Sequence, residues 1–180
     1  TIRNLSIVSE NRTPMAKAGA IKPLVEFCKG GNDGQKEHAG AALWALCAGN
    51  VENRRLCAAA GAIAPLITLV RNGAKDVIKE NAAGALWRIC IENNDNQAAV
   101  EKGGGVPPLV AMLKGTDPQK ENAIGCLRNL SVKQPSQLAI VRAGGIEPII
   151  EALSGGTPAR KENACGTMRN IAIPTESREA

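Results

Sequence analysis

The sequence predicts an all-α fold, a right-handed superhelical solenoid made of three-helix repeats. Two recurring segments carry this prediction. The first, "KENAIGCLRNLSV" at residues 120–132, has close copies along the chain, such as "KENAAGALWRICI" at 79–91. The second, "AGAIAPLI" at residues 60–67, combines small residues with a proline and recurs in step with the first. Two independent segments that keep one period along the whole chain indicate stacked structural repeats.

The spacing of the two segments defines the repeat. The reference position of the first segment, called position 0, recurs at intervals of 41, 43, 41 and 41 residues, at Asn4, Ala45, Arg88, Asn129 and Asn170. The prolines of the second segment are 42, 43 and 40 residues apart, at Pro23, Pro65, Pro108 and Pro148. We therefore expect a single repeat domain over residues 1–180, with a partial repeat at 1–10 and four full repeats near 11–51, 52–93, 94–133 and 134–174.

Each repeat divides into three helical segments. A short first helix, as in "NRRLCAAAG" at 53–61, ends at glycine, which tolerates the left-handed conformation of a helix C-cap. A second helix follows at once, as in "AIAPLITLVRNG" at 62–73, with its proline in the first turn, where a missing N–H has no cost. A longer third helix starts near "DVIKENAAG" or "DPQKENAIG" and runs to the next polar loop.

One apolar stripe runs along each third helix. Leu127 and Leu130, like Leu86 and Ile89, are spaced three residues apart. A single repeat cannot bury its stripe alone, so neighbouring repeats have to cover it. Gly125 stands inside such a helix, where glycine costs about 1 kcal/mol against alanine, so a packing or ligand-approach reason is expected for it.

Composition argues against several classes of function. The chain has a net charge of +5 and a pI of about 9.0, but it has no concentrated basic patch and only three aromatic residues, which disfavours nucleic-acid binding. No CxxC pair exists and His38 is the single histidine, so we expect no metal ion, no cofactor and no catalytic centre. No apolar run is long enough to predict membrane insertion.

The cysteines are expected to be structural. Most of the six fall at apolar positions of the predicted helices, at Cys28, Cys47, Cys57, Cys90, Cys126 and Cys165. A free cysteine behaves as a small hydrophobic residue, so these side chains are predicted to fill the core. Reduced thiols indicate a cytoplasmic location, with the nucleus as the alternative.

Taken together, these segments resemble the armadillo repeat family. The resemblance rests on a period of roughly 42 residues, on the proline-containing segment of the second helix and on the "KENAAGALWRICI"-like segment of the third. It covers essentially the whole chain. It implies a superhelical solenoid in which the third helices line a concave groove, and a non-enzymatic protein that binds other proteins or peptides without a cofactor.

Three further positions of the third helix, counted back from position 0, supply candidate groove residues. Position −7 is His38, Asn81, Asn122 and Asn163. Position −4 is Ala41, Gly84, Gly125 and Gly166. Position −1 is Trp44, Trp87, Arg128 and Arg169 in the four full repeats. We expect the partner-binding residues to be Asn4, His38, Trp44, Asn81, Trp87, Arg88, Asn122, Arg128, Asn129, Asn163, Arg169 and Asn170.

The asparagines suit a peptide groove, because each amide carries N–H donors and a C=O acceptor that can pair with an extended peptide backbone. In peptide-binding members similar to importin-α, an Asn at position 0 has this role, and this chain keeps it at Asn4, Asn129 and Asn170. The chain departs from that pattern at Ala45 and Arg88. It also has Ala or Gly at position −4, where importin-α-like proteins carry Trp. These departures argue against a nuclear-transport carrier.

The same residues allow other interpretations. The Asn side chains are peptide contacts, solvated surface groups, or links that stiffen neighbouring helices. Trp44 and Trp87 either pack as structure or form an exposed anchor, a residue type favoured at binding hot spots. The arginines at 88, 128 and 169 either attract an acidic partner or a C-terminal carboxylate, or pair with Glu80, Glu121 and Glu162 on the same helices.

Two functional classes follow from these alternatives. One is a scaffold or adaptor whose partner, an extended peptide or a protein of acidic character, lies along the third-helix groove. The other is a structural subunit that docks by its faces and ends in a larger complex and leaves the groove empty. Asn129 and Asn170 favour the first class. Ala45, Arg88 and the missing Trp at position −4 favour the second.

The groove hypothesis predicts a binding defect without loss of the fold. Replacing two position 0 residues together, Asn129→Ala and Asn170→Ala, is expected to weaken capture of the partner, because two backbone-pairing amides are lost. Affinity purification from native lysate, with tagged wild-type and double-variant chains side by side, measures this. A double variant that retains its partner at wild-type affinity would contradict the groove hypothesis.

Overall fold

The computed structural model describes residues 2–172 of the chain and is helical throughout that range, which confirms the predicted all-α superhelical solenoid. Residue 1 and residues 173–180, and with them the end of the repeat expected at 134–174, lie outside the described residues. The described helices are α1 Ile2–Ile7, α2 Ser9–Lys17, α3 Ile21–Gly30, α4 Asp33–Cys47, α5 Val51–Ala59, α6 Ile63–Asn72, α7 Asp76–Ile89, α8 Asn94–Lys102, α9 Val106–Met112, α10 Asp117–Leu130, α11 Gln134–Arg142, α12 Ile146–Ser154 and α13 Pro158–Ala172.

The helices follow a short, short, long order. After α1, the triplets α2–α4, α5–α7, α8–α10 and α11–α13 each end in a helix of 14 or 15 residues. These long third helices and α1 pack side by side in chain order, from α1 to α4, α7, α10 and α13. None of the described helices has both the length and the apolar character needed to cross a membrane.

The turn between the first and second helices has the predicted glycine conformation. At the end of α5, Gly61 has φ of 78° and its N–H donates to the carbonyl of Ala58 at 2.9 Å. The N–H of Ala62 reaches back to the carbonyl of Cys57 at 3.0 Å. This pair of bonds is a Schellman motif, which needs a residue in the left-handed region and therefore favours glycine. The same positive φ recurs at Gly19, Gly104 and Gly144.

The starts of the helices are also encoded locally. The second helices carry their prolines in the first turn, as in α6, where Pro65 follows two residues after Ile63. A third helix begins with a side-chain cap where the sequence offers one. Thr116 accepts a hydrogen bond from the backbone N–H of Gln119, whose side chain in turn accepts from the backbone N–H of Thr116. This reciprocal capping box satisfies two donors that the helix itself cannot pair.

The core lies where the third helices meet the first and second helices. The predicted apolar pairs, at positions −2 and +1, have no exposed surface in the three inner repeats, at Leu43, Leu46, Leu86, Ile89, Leu127 and Leu130. Burying a side chain of this size contributes about 1.5–3 kcal/mol. The stripe predicted from the sequence is therefore confirmed as the central packing element.

Polar side chains of the first helices close the ends of the third helices. Asn53 donates from Nδ2 to the carbonyl of Leu46 at 2.9 Å and to the carbonyl of Arg12 at 3.1 Å. One repeat later, Asn96 donates to the carbonyl of Ile89 at 2.9 Å. The last carbonyls of a helix have no partner within it, so these amides replace the missing donors.

Five of the six cysteines lie in the core, as predicted, and Cys165 on α13 is exposed. The thiols of Cys47 and Cys57 are 3.4 Å apart. The hydrogen bond with Cys57 and burial both raise the pKa of the Cys47 thiol. Burial raises the pKa of Cys28 to about 12. These groups therefore stay protonated at neutral pH and act as small apolar side chains.

The inter-helix amides predict a measurable stability difference. Asn53→Ala is expected to lower the free energy of unfolding by about 1–3 kcal/mol, because it leaves the buried carbonyl of Leu46 without its side-chain donor and removes the bond to the carbonyl of Arg12. Asn94→Ala is the matched control, since Asn94 is exposed at the start of α8. That variant is expected to stay within about 0.5 kcal/mol of wild type. Guanidinium unfolding curves measure both values, and equal midpoints would show that the amide bonds contribute nothing.

Candidate partner-binding face

Large side chains at position −1 pack over the glycines at position −4 of the following repeat. The ring of Trp44 lies against Gly84, where an added Cβ would come within 2.6 Å of ring atom Cδ2. The ring of Trp87 lies against Gly125 in the same way, and a Cβ there would overlap Cε2. A glycine inside a helix is therefore required at these positions, because any larger residue would push adjacent third helices apart.

This arrangement answers two questions that the sequence left open. The reason for glycine at mid-helix is packing between repeats. The two Trp residues are half-buried, so each ring packs against its neighbouring glycine and part of its remaining surface is accessible. The third member of the row is Arg128, whose Nε would lie 2.8 Å from a Cβ on Gly166.

The amides at position −7 link neighbouring third helices. Asn81 is 4% exposed and donates from Nδ2 to the carbonyl of Glu37 at 3.1 Å. Asn122 is 3% exposed and donates to the carbonyl of Glu80 at 3.3 Å. Both bonds run from one repeat back to the preceding one. The buried Asn163 instead accepts a hydrogen bond at 3.0 Å from Nη1 of a position −1 arginine of the preceding repeat.

The amides at position 0 form the same kind of link. Asn129 donates from Nδ2 to the carbonyl of Trp87 at 3.3 Å. Asn170 donates to the carbonyl of Arg128 at 3.5 Å and to the hydroxyl of Ser131 at 3.0 Å. Removing these two amides therefore also removes inter-repeat hydrogen bonds, each worth about 1 kcal/mol, so the double alanine variant is expected to lose stability.

The candidate residues divide by accessibility. Four amides are at least nine-tenths buried between repeats: Asn81, Asn122, Asn163 and Asn170. The peptide contacts assigned to them stay a prediction. The others are half-buried or exposed: Asn4, His38, Trp44, Trp87, Arg88, Arg128, Asn129 and Arg169. The third helices α4, α7, α10 and α13 pack side by side, and their accessible side chains at positions −1 and 0 define one surface, the third-helix face. It is formed by Trp44, Ala45, Trp87, Arg88, Arg128, Asn129 and Arg169.

Ion pairs differ from one arginine of this face to the next. Arg128 pairs with Glu162 of the following repeat, with Nη1 and Oε1 at 3.0 Å. Glu121 is engaged by Arg160, at 3.7 Å, and by a threonine hydroxyl. Partial burial raises the pKa of Glu80. The glutamates therefore do not neutralise the arginines as one uniform row, and each arginine has its own electrostatic setting.

Arg88 has the most unusual setting. Its Cζ lies 4.5 Å from the centroid of the Trp87 ring, in a cation–π arrangement. Its Nε is buried and has no hydrogen-bond partner in the part of the chain that the structure describes. Desolvation lowers the pKa of the guanidinium, and the positive charges of Arg54 and Arg12 lower it further. The charged form of Arg88 is therefore held in a partly dry, like-charged environment.

Two further arginines, Arg12 and Arg54, were not among the residues predicted for the site. Arg12 belongs to α2 and Arg54 to α5. Their side chains reach the C-terminal ends of third helices and donate to backbone carbonyls there. Arg12 reaches the carbonyl of Ala48 at 2.8 Å, and Arg54 reaches that of Cys47 at 3.2 Å. Their spacing of 42 residues, one repeat length, is the signal that could have found them. Over residues 2–172, no group of three or more His, Cys, Asp or Glu is placed to hold a metal ion.

Comparison with known proteins identifies the repeat. The family model described as Armadillo/beta-catenin-like repeat matches residues 50–91 and 133–173. These two segments, 83 of the 180 residues, are armadillo repeats. A curated relative, the U-box domain-containing protein 14 of Arabidopsis thaliana, is 39% identical over 69 residues. The aligned segment is 38% of this chain and 11% of the relative, so the match covers only a small part of that protein.

Solved armadillo structures have the same architecture. A designed armadillo repeat protein matches with a TM-score of 0.85 and 25% identity, over 99% of this chain and 76% of that one. Another, in complex with the peptide (KR)4, has a TM-score of 0.84 and 22% identity over the same shares. A third, computationally designed for modular peptide recognition, has a TM-score of 0.82 and 24% identity, over 94% of this chain and 72% of that one. These matches show a common armadillo solenoid fold.

The packing of the armadillo third helices predicts opposite effects of one substitution in two backgrounds. Gly125→Ala is expected to destabilise the chain, because overpacking against Trp87 costs about 1–3 kcal/mol. That cost exceeds the gain in helix propensity of about 1 kcal/mol. In a Trp87→Ala background the overlap is gone, so the same substitution is expected to be neutral or stabilising. Guanidinium unfolding of the four variants gives the coupling energy directly.

Gly166→Ala is the matched control for this cycle. Its neighbour is the flexible end of the Arg128 side chain, which can move aside, so a smaller cost is expected than at Gly125. Additive effects of Gly125→Ala and Trp87→Ala would contradict the packing explanation.

Proposed function

We propose that this chain is a non-enzymatic interaction module that holds a partner protein or an extended peptide on its third-helix face. One observation carries the proposal. Trp44 and Trp87 lie in successive repeats, with part of each ring accessible, and Arg88 lies over the second ring. Trp and Arg are the residue types that contribute most to binding energy at protein interfaces.

The fold supports the same conclusion. One structure with this fold holds the peptide (KR)4, and another was designed for modular peptide recognition. In a solenoid, neighbouring repeats place equivalent side chains at regular intervals, so an extended chain can contact several repeats at once. A partner on the third-helix face of this chain would cross the two Trp positions and then Asn129.

Asn129 is the amide best placed to contact such a partner. It is half-buried, whereas the candidate amides Asn81 and Asn122 are almost completely enclosed. One of its N–H groups is used in the bond to the Trp87 carbonyl. An amide also has a second N–H and a carbonyl oxygen, which are the groups that an extended backbone requires.

A second candidate function is a structural subunit of a larger complex. It is favoured by apolar side chains that are exposed on α11 and α12. Leu138 is 47% exposed, Val141 is 45% exposed and Ile150 is 48% exposed. The residue equivalent to Ile150 two repeats earlier is Ile67, which is 3% exposed. A protein that covers this apolar surface would bind without contacting the third-helix face.

The proposal predicts that blocking the third-helix face abolishes peptide binding. A library of extended random peptides is selected on the immobilised wild-type chain, and fluorescence anisotropy gives the Kd of each selected peptide. Ala45→Lys places a long side chain beside Trp44 and is expected to weaken binding by at least about tenfold. Ala64→Lys, on the exposed side of α6, is the matched control and is expected to leave Kd unchanged.

Two results would contradict the proposal. The first is equal Kd values for wild type and Ala45→Lys. The second is a failure to select any binder with a Kd below about 1 mM, which corresponds to a binding free energy of only about −4 kcal/mol. Loss of binding with Ile150→Glu but not with Ala45→Lys would instead support the structural subunit. Circular dichroism confirms that each variant is folded.

A further inference from the structure

We propose that Arg88, stacked on Trp87, is the anchor for a carboxylate of an acidic partner peptide. The inference rests on the proposed function and adds the chemistry of the ligand and the residue that selects it. It assigns the third-helix face an anionic partner, in contrast to the cationic peptide (KR)4 held by one structure of the same fold.

The guanidinium of Arg88 has no close counter-ion in the described part of the chain. Among the described residues, no carboxylate oxygen lies within 4.0 Å of the Arg88 guanidinium. Glu80 lies two turns earlier on the same helix, about 12 Å along the axis. Glu92, four residues later, lies beyond the end of α7, is exposed, and has φ of 52°. The acids nearest in sequence therefore leave the charge of Arg88 without a close partner.

Arg54 and Arg12 add positive charge to the surroundings of Arg88. Arg54 lies between the ends of two third helices, with Nε on the carbonyl of Cys47 and Nη1 3.4 Å from the carbonyl of Ile91. Ile91 follows Arg88 by three residues, so Arg54 and Arg88 share the C-terminal end of α7. Arg12 occupies the equivalent place one repeat earlier, on the carbonyl of Ala48. The partial negative charge of the helix ends balances these two arginines only in part.

The Trp87 ring restrains the guanidinium of Arg88. The contact with Trp87 keeps Cζ of Arg88 4.5 Å from the ring centroid, so the side chain needs to lose little freedom when it binds. Its buried Nε has no acceptor among the described residues, which is a cost for a polar group removed from water. A carboxylate that bonds to two N–H groups of the fork at once would match this geometry and compensate for the desolvated charge.

The small residue at position 0 of the preceding repeat leaves space next to Arg88. Position 0 of the preceding repeat is Ala45, which ends at Cβ, whereas the following repeat has Asn129 at this position. No long side chain at position 0 of the preceding repeat therefore occupies the approach to the guanidinium. Among the five position 0 residues, Arg88 alone is charged, and the position 0 residue before it is the short Ala45.

The test uses an alternating Ser-Asp peptide and a matched Ser-Asn peptide, both labelled with fluorescein, at low ionic strength. The wild-type chain is expected to bind the Ser-Asp peptide and not the Ser-Asn peptide. Arg88→Gln is expected to weaken binding of the Ser-Asp peptide by at least about tenfold, as for loss of a charge-assisted bidentate contact. Arg142→Gln on α11 changes the net charge equally at an exposed site and is expected to stay within about twofold.

A second measurement reports on the stack itself. In a Trp44→Phe background, Trp87 is the single tryptophan, so its emission monitors the guanidinium above the ring. The Ser-Asp peptide is expected to shift this emission, and the Ser-Asn peptide is not. Arg88→Lys keeps the charge but loses the planar fork, so binding intermediate between wild type and Arg88→Gln is expected.

The outcomes separate the two proposals. Equal Kd values for Arg88→Gln and Arg142→Gln, or equal binding of the two peptides, would contradict the proposal that Arg88 anchors a carboxylate. Ala45→Lys can block the peptides selected from the random library while the Ser-Asp peptide does not bind the wild-type chain. In that case the proposed role of Arg88 is wrong, and binding on the third-helix face is still supported. If neither kind of peptide binds, the proposed function fails as well.

Discussion

The close approach of consecutive third helices is the contact on which this armadillo solenoid depends. No repeat encloses a core by itself, so each one needs the next at a short and defined distance. Glycine at position −4 permits that distance by making room for the side chain at position −1 of the preceding repeat, as where Trp87 meets Gly125. Amide bonds such as that of Asn122 to the carbonyl of Glu80 then hold the two backbones in register.

This contact also decides which groups remain for a partner. A polar group that is buried between repeats needs a hydrogen bond there, and the buried asparagines meet this need with bonds between repeats. What stays accessible is the outer part of two Trp rings, Asn129 and the arginines at positions −1 and 0. The same third-helix side chains therefore have two roles. One part of each side chain packs between repeats, and the part that stays accessible belongs to the binding surface that we propose.

Arg88 is a position of the third-helix face where a buried polar atom has no hydrogen-bond partner among the described residues. In the next repeat Asn129 bonds to a backbone carbonyl, whereas Arg88 has the unpartnered Nε and two further arginines nearby. A protein tolerates such a group at a stability cost when the group has a function elsewhere. The electrostatic setting of Arg88 is therefore more informative about the partner than the net charge of the whole chain.

The sequence by itself determined the class of fold, the period, the glycine turns, the prolines at the starts of the second helices and the buried leucine stripe. Each of these depends on residues close together in the chain or on strict periodicity, so local rules suffice. Only the tertiary structure decided that Asn81 and Asn122 face the preceding helix, and that Trp44 and Trp87 lie on glycines. These contacts join residues about one repeat apart, and they depend on the rotation of each helix against its neighbour. Helical periodicity places a residue on a face of its own helix, but the packing of whole repeats decides what that face meets.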